Sequence, residues 1–365
     1  MPANTNYRIF YACQQITFAE EGAEGQANYK EAHGVQSVGI TTTFNLEQAF
    51  ELGQLAIYEN IEGIPDIEVT IEKVLDGYPP IYCLATRGGT ATSLVGRQNQ
   101  KTMMLLDIYR DTVLATDPSS TPVSECWMSG LYVSSVSYTF PVEGNATESV
   151  NLVGNNKVWQ AATASIGRFD DDPGDEDAPA STGSDIGVMR REDLSFAYTG
   201  TGTEDITGGP DGITTATGGC ILPLDVDGVS GSGTNDKFSN SEVFKSHVQN
   251  ISCSTDLGRE QLFELGRKGA YYRYVTFPVE VTTEFTVIAT SGDMVDALEE
   301  AVNLQHQRIL LNTKEGLTID AGRKNKLASV GMTGGDAGGD NVELTYTYTN
   351  FNDFDVSHDH GDAAL

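Results

Sequence analysis

Alternation of apolar and polar residues with a period of two runs through much of the chain. In Ile67–Val74, IEVTIEKV, the residues Ile67, Val69 and Ile71 share one face. Glu68, Thr70 and Glu72 share the other. Val279–Val287 repeats the pattern, with Val279, Val281 and Phe285 opposite Glu280, Thr282, Glu284 and Thr286. Val133–Phe140 places Val136, Tyr138 and Phe140 together, and Val342–Asn350 does so with Val342, Leu344, Tyr346 and Tyr348. Period-two patterning predicts half-buried antiparallel strands, one face on a core and one wet. Helix signals are fewer. Leu46, Ala49 and Phe50 have i, i+3, i+4 spacing, with Asn45 before them and Gly53 after; Asp256 and Gly266 frame the corresponding stretch later in the chain. These read as two short capped helices. A longer helix is expected over Asp293–Arg308, where Val295, Leu298, Ala301 and Val302 form a stripe.

Self-comparison shows an internal repeat. Gly34–Pro65 and His247–Pro278 align at a constant offset of 213 with 11 of 32 residues identical. Unrelated sequences give roughly two. The shared core is EQxFELG: Glu47, Phe50 and Gly53 in the first copy, Glu260, Phe263 and Gly266 in the second. Tyr58 matches Tyr271, and Pro65 matches Pro278. After a one-residue gap, Glu68 and Glu72 align with Glu280 and Glu284. Further on, Leu105-Leu106 can pair with Leu310-Leu311, and Val133–Phe140 with Leu327–Thr333. The expected fold is therefore mainly β: two tandem β-barrel or sandwich domains, each with a flanking helix, related by duplication. Residues 1–167 form the first and 190–365 the second. Between them, 168–189 is acidic and rich in Pro, Gly and Ser, so it reads as a linker or exposed loop.

Charge narrows the function classes. The chain of 365 residues carries 22 Lys plus Arg against 52 Asp plus Glu, a formal net charge of −30. That excess argues against a protein that grips nucleic-acid phosphates or anionic membrane surfaces. The five cysteines form no CxxC pair, so free thiols are expected rather than a zinc site or disulfide framework. No phosphate-binding loop, HExxH or GxSxG motif is present, and no acid, base and nucleophile cluster is recognisable. No enzymatic role and no cofactor or metal is expected. His358 and His360 resemble a ligand pair but sit in the last eight residues, where a frayed terminus is the simpler reading. Asp170–Asp177 and Asp225–Gly228 lack calcium-loop spacing, and GGDAGGD at Gly334–Asp340 reads as a hairpin loop. Glu68, Glu72, Glu280 and Glu284 carry the best functional hypothesis. They occupy the polar faces of two related strands, where they can be an ordinary solvated surface or the acidic wall of a channel that repels a passing polyanion.

Two longer phrases carry a family resemblance. GREQLFELGRKGAYYRYVTFPVEVTTEF, at Gly258–Phe285, and SYTFPVEGNATESVNLVGNNKVW, at Ser137–Trp159, resemble the tail tube proteins of tailed bacteriophages. The resemblance implies a β-barrel or sandwich whose subunits join sheets around a ring, with rings stacking into a hollow tail tube. The tube is the conduit for DNA ejection and holds the tape measure protein. Sheath, baseplate and tail terminator are further partners, DNA passes without specific binding, and no membrane is involved. The location implied is the virion tail, assembled in the bacterial cytoplasm. Two fused tube domains suggest a trimeric, pseudo-sixfold ring, with six chains per ring as the alternative. Two other functions remain open at this level: the tube of a related contractile injection or secretion system, and a monomeric β-sandwich binding or adhesin module.

Overall fold

The computed structural model describes residues 8–21, 30–110, 122–161, 187–199, 248–289, 292 and 308–358, apart from 54, 56, 88, 90, 192–193, 267–268, 314–315, 336–338 and 340. The helix expected at Asp293–Arg308 lies almost wholly outside these residues, as do both acidic loops, His360 and most of the linker. The protein is mainly β. Its first half contains β1 (Gln14–Glu20), β2 (Lys30–Glu31), β3 (Val35–Thr43), β4 (Leu46–Phe50), β5 (Ile57–Glu62) and β6 (Asp66–Val74). Two short helices follow, α1 (Ile81–Ala85) and α2 (Leu94–Arg97), then β7 (Thr102–Ile108), β8 (Ser124–Pro141), β9 (Thr147–Gly154) and β10 (Asn156–Ala161). The second half contains β11 (Leu194–Thr199), β12 (Val248–Asp256), β13 (Arg259–Leu262), β14 (Tyr272–Val275) and β15 (Glu280–Ile288). It continues with β16 (Arg308–Thr313), β17 (Leu317–Asp320), β18 (Lys326–Gly334), β19 (Val342–Phe351) and β20 (Asp355–His358).

Each half is built on two layers of four strands in the same order, to which the two-residue β2 adds at the β1 edge of the first half. The upper layer of the first half runs β3-β6-β9-β8, and that of the second runs β12-β15-β19-β18. The lower layers run β1-β7-β8-β10 and β11-β16-β17-β20. One 18-residue strand, β8, serves both layers of the first half. The second half divides this work between β17 and β18. The ladders also agree residue by residue. A bulge interrupts β3 between Val35 and Ser37, and another interrupts β12 between Val248 and Asn250, 213 residues later. A bulge in β8 between Val133 and Ser135 matches one in β18 between Leu327 and Ser329. Bulges re-aim side chains and are features of design rather than noise.

This register corrects one alignment made from identity. Glu68 and Glu72 do not share rungs with Glu280 and Glu284. Thr42 pairs with Ile67 and Thr255 with Val281, so Asp66 corresponds to Glu280 and Thr70 to Glu284. The second copy has one residue more between hairpin and strand, containing the cis Phe277-Pro278 bond. The displacement is two residues, so period two keeps all four glutamates on the expected face.

The two capped helices expected around EQxFELG are β-hairpins. β4 pairs with β5, opposing Gln48 and Asn60, and β13 pairs with β14, opposing Gln261 and Arg273. A seven-residue stretch nucleates a helix poorly, and a Tyr-rich segment close behind offers a strand partner. Gly53 and Gly266 serve the turns at φ +91° and +87°, conformations that a side chain disfavours. Asn45 does not cap a helix; its amide donates to the Ile64 carbonyl at 2.9 Å and to Asp66 at 3.1 Å, fastening the hairpin base. Asp256 accepts from the Gly258 N–H at 2.9 Å in a local turn. The helical elements of the first half are instead α1 and α2, and α1 is anchored at its start. Its first amides, Ile81 and Tyr82, donate at 2.6 and 3.0 Å to the buried Glu148 carboxylate. Burial raises the Glu148 pKa, opposed by these amides, Lys73 and the Tyr138 hydroxyl.

The main apolar core runs through both halves, from Ile16 and Phe18 through Val69, Ile71 and Val136 to Phe285, Tyr346 and Val356, and a small separate cluster of Ala19, Met103 and Leu105 packs against Trp127. Burial of this kind drives folding at roughly 25 cal/mol per Å² of apolar area. Cys13, Cys83, Cys126 and Cys253 are buried and take part in no disulfide among the described residues; Cys220 lies outside them. His358 is not frayed: it pairs with Leu317 in β20 and is buried. The expected hairpin at Gly334 is the β18–β19 connection, where Gly334 and Gly335 take positive φ. The expected linker ends firmly, since Met189 is buried and its backbone bonds Leu75 and Ala146.

Candidate assembly surfaces

The halves meet edge to edge. β8 accepts β12 in an antiparallel ladder from Ser135↔Asp256 to Asn250↔Pro141. The eight upper strands thereby form one sheet, β3-β6-β9-β8-β12-β15-β19-β18. The ends of this sheet differ from one another. β3 corresponds to β12 and β18 corresponds to β8, so the outer strands are the counterparts of the two strands already joined inside. Among the described residues β3 pairs only with β6, and β18 only with β19. Both show intermediate to exposed residues along their length. A long open edge invites further strand pairing unless something covers it.

One face of the sheet is polar across its full width. A single row reads Ser37, Glu72, Ser149, Ser137, Ser254, Thr282, Thr349 and Lys326, one residue from each strand. The next row on that face includes Thr147, Thr139, Ser252, Glu284, Thr347 and Ser329. The row between them is the buried one, with Lys73, Glu148, Tyr138, Cys253, Thr283 and Tyr348 side by side. Strand pleating sets this alternation. All four sequence-predicted glutamates lie on the polar face; Glu68, Glu72 and Glu280 are exposed and Glu284 is half-buried. Ser37 donates to Glu72 at 3.0 Å, and Asn151 donates to Ser135 at 2.9 Å. The arrangement offers hydroxyls and carboxylates to solvent, with few fixed cations. No group of three or more metal-ligating side chains occurs among the described residues.

The hairpins form the third surface, and they are not in equal positions. β13–β14 rests on the first half. The Arg273 guanidinium lies 2.9 Å from Asp66 and also donates to the Gly154 carbonyl and Asn155. Gln261 donates to Asp66 at 2.9 Å. Burial tends to raise the Asp66 pKa, but hydrogen bonds from Gln261, Asn45 and Arg273 outweigh it and hold the carboxyl below its ordinary value. Arg259 donates to the carbonyls of Val133 and Gln98 at 2.7 and 2.5 Å and lies over the Tyr132 ring. Tyr272 meets Tyr132 edge-on, with ring centroids 6.1 Å apart. By contrast, every residue of β4 and β5 except Ala49 is exposed. Of the repeat residues named from sequence, Glu47, Phe50 and Gly53 lie in this open hairpin; Glu260, Phe263 and Gly266 lie in the seated one, and Pro65 and Pro278 follow the two hairpins. The docking residues were not singled out by the sequence: Arg259 and Arg273 fall where the copies differ, and Gln261, identical to Gln48, lies in the shared motif that was read as a helix.

No protein-family model and no curated protein matches the chain. Solved structures are similar to part of it at low identity and low TM-score. A baseplate structure of the anti-feeding prophage is 11% identical, with TM-score 0.32, covering 43% of this chain and 98% of that one. A sheath–tube complex of an extracellular contractile injection system is 14% identical, with TM-score 0.31, covering 43% and 95%. Hcp1 from Salmonella typhimurium is 13% identical, with TM-score 0.21, covering 42% and 98%.

Proposed function

We propose that the chain is a structural subunit of a hollow tube, built by adding one copy's β3 edge to the β18 edge of the next. The observation that carries this reading is the β8–β12 ladder. It is a head-to-tail joint between two counterpart units, and it leaves the same pair of edges unused at the sheet ends. A head-to-tail contact repeats until rotation closes it into a ring. Two units per chain make three chains the natural count for six units, and the shared strand order and bulges support duplication as their origin. Closure removes the open edges and puts the polar face on one side of a continuous wall. That face, with Glu68, Glu72, Glu280 and Glu284, lines the bore and lets a polyanion pass unheld. We assign the protein to the tail of a phage-like particle, as a structural rather than enzymatic component, with itself and a tape measure protein as primary partners. Sheath, baseplate and terminator are partners at the tube's outside and ends. A DNA-conducting phage tail and a contractile injection tube make the same use of this geometry; the resemblance of Ser137–Trp159 and Gly258–Phe285 to phage tube proteins favours the former.

The joint has a defined register. Ser137 faces Ser254 inside the chain, and their counterparts are Gly331 and Thr41. In a protein carrying Thr41→Cys with Gly331→Cys, a short bismaleimide is expected to link chains into dimers and trimers. Each single variant yields no trimer. A double variant that stays monomeric under assembly conditions contradicts the head-to-tail reading.

A further inference from the structure

The β13–β14 hairpin is seated on the half that precedes it, beside the joint between β8 and β12. Its counterpart β4–β5 has no such seat among the described residues. The preceding half would have to lie beyond β3, and among the described residues the matching surface is the β15-β19-β18 end of the sheet. Seven strand spacings separate β3 from β18, about 34 Å. The open hairpin is also unusually apolar for a free surface. Phe44, Leu46, Phe50 and Tyr58 are all more than half exposed, and Leu52 and Leu55 are fully so. Apolar patches of this kind mark interaction sites.

Ladder register names the contact that would cover it. Gln48 and Asn60 correspond to Gln261 and Arg273, and Asp66 corresponds to Glu280. Tyr132 and Val133 correspond to Lys326 and Leu327. Tyr272 corresponds to Glu59, and Arg259 to Leu46. The chemistry changes on both sides of the seat in step. Two amide donors, Gln48 and Asn60, face the Glu280 carboxylate as Gln261 and Arg273 face Asp66. The Tyr272–Tyr132 ring contact becomes Glu59 opposite Lys326, a complementary charge pair. Arg259, whose hydrogen-bonded guanidinium lies over Tyr132, becomes Leu46 beside Leu327. Within one chain both sides of this second seat are exposed or half-buried.

We propose that β4–β5 docks onto the second half of a neighbouring copy, with Glu59 on Lys326 and the Gln48 and Asn60 amides on Glu280. This rests on the head-to-tail reading and identifies the contact that fastens it. The seat inside the chain relies on two arginines, whereas the seat between chains relies on amides, one ion pair and apolar area. The difference leaves the first permanent and the second reversible during growth.

A charge exchange tests it. Glu59 and Lys326 are exposed, so Glu59→Lys and Lys326→Glu leave each chain folded. Sedimentation of full-length protein should show each single variant assembling at roughly fivefold higher concentration, the scale of a pair worth about 1 kcal/mol. The double variant E59K/K326E should return to the wild-type concentration. A double variant that assembles no better than the weaker single variant overturns the docking. The Thr41–Gly331 cross-link separates the two ideas. If that link forms while the charge exchange gives no rescue, the edges join but the hairpin is seated elsewhere. If neither result is obtained, the head-to-tail reading falls with it.

Discussion

At the scale of single residues, Asp66 shows how the halves are locked. It receives Gln261, Asn45 and Arg273, and these donors hold its carboxyl below the ordinary value of 3.8. A depressed folded-state pKa adds stability that is complete above the unfolded value and lost as pH falls through the folded one. Asp66→Asn should therefore destabilise the protein at neutral pH by about 1 kcal/mol, a modest figure because the Asp66 side chain is 42% exposed. Thermal unfolding measured against pH should show the gap between wild type and variant closing below pH 3.8. A gap that stays constant or widens under acid contradicts the assignment. Nothing in the sequence marked Asp66. It begins a strand whose later glutamates catch the eye, and two of its partners, Gln261 and Arg273, lie 195 and 207 residues away in a hairpin that sequence signals had made a helix.

At the scale of elements, strands with strict alternation were readable. Ile67–Val74 and Val279–Val287 have the faces that their patterns require, because one face meets a core and a slip of one residue would invert it. The pairing of Val133–Phe140 with Leu327–Thr333, faint in identity, coincides with the ladder, where Val133 and Leu327 hold the same rung. EQxFELG was misread for a physical reason. With Asn45 and Leu46 before it, its Ala49, Phe50 and Gly53 satisfy helix spacing and capping, and the decisive partner strand lies after a turn that periodicity does not register. The two-residue displacement of Glu280 has a related cause. Identity alignment follows side chains, while the extra residue beside Pro278 is absorbed by backbone geometry. The joint β8–β12 was also invisible, since Ser135–Pro141 and Asn250–Asp256 look like any other half-buried strands.

For the whole molecule, the net charge of −30 gains a location. Part of it stands on the polar face, in a field of Ser, Thr and Asn hydroxyls and amides that neither buries apolar area nor grips phosphate. Replacing Glu68, Glu72 and Glu284 together by Lys, with Glu280 kept because it belongs to the proposed seat between chains, should leave assembly intact and make the assembled protein retain DNA at low salt, with retention falling as salt rises. Failure of the assembled variant to retain DNA at low salt contradicts a bore-facing position. The architecture as a whole turns on the two unequal ends of one eight-stranded sheet. The most direct measurement is electron cryomicroscopy of the purified, assembled protein at a resolution that shows strands. The account predicts hollow rings of three chains, six four-stranded units around the bore, β3 paired with β18 of the next chain. Rings with β3 and β18 unpaired, or a protein that remains monomeric, would contradict it.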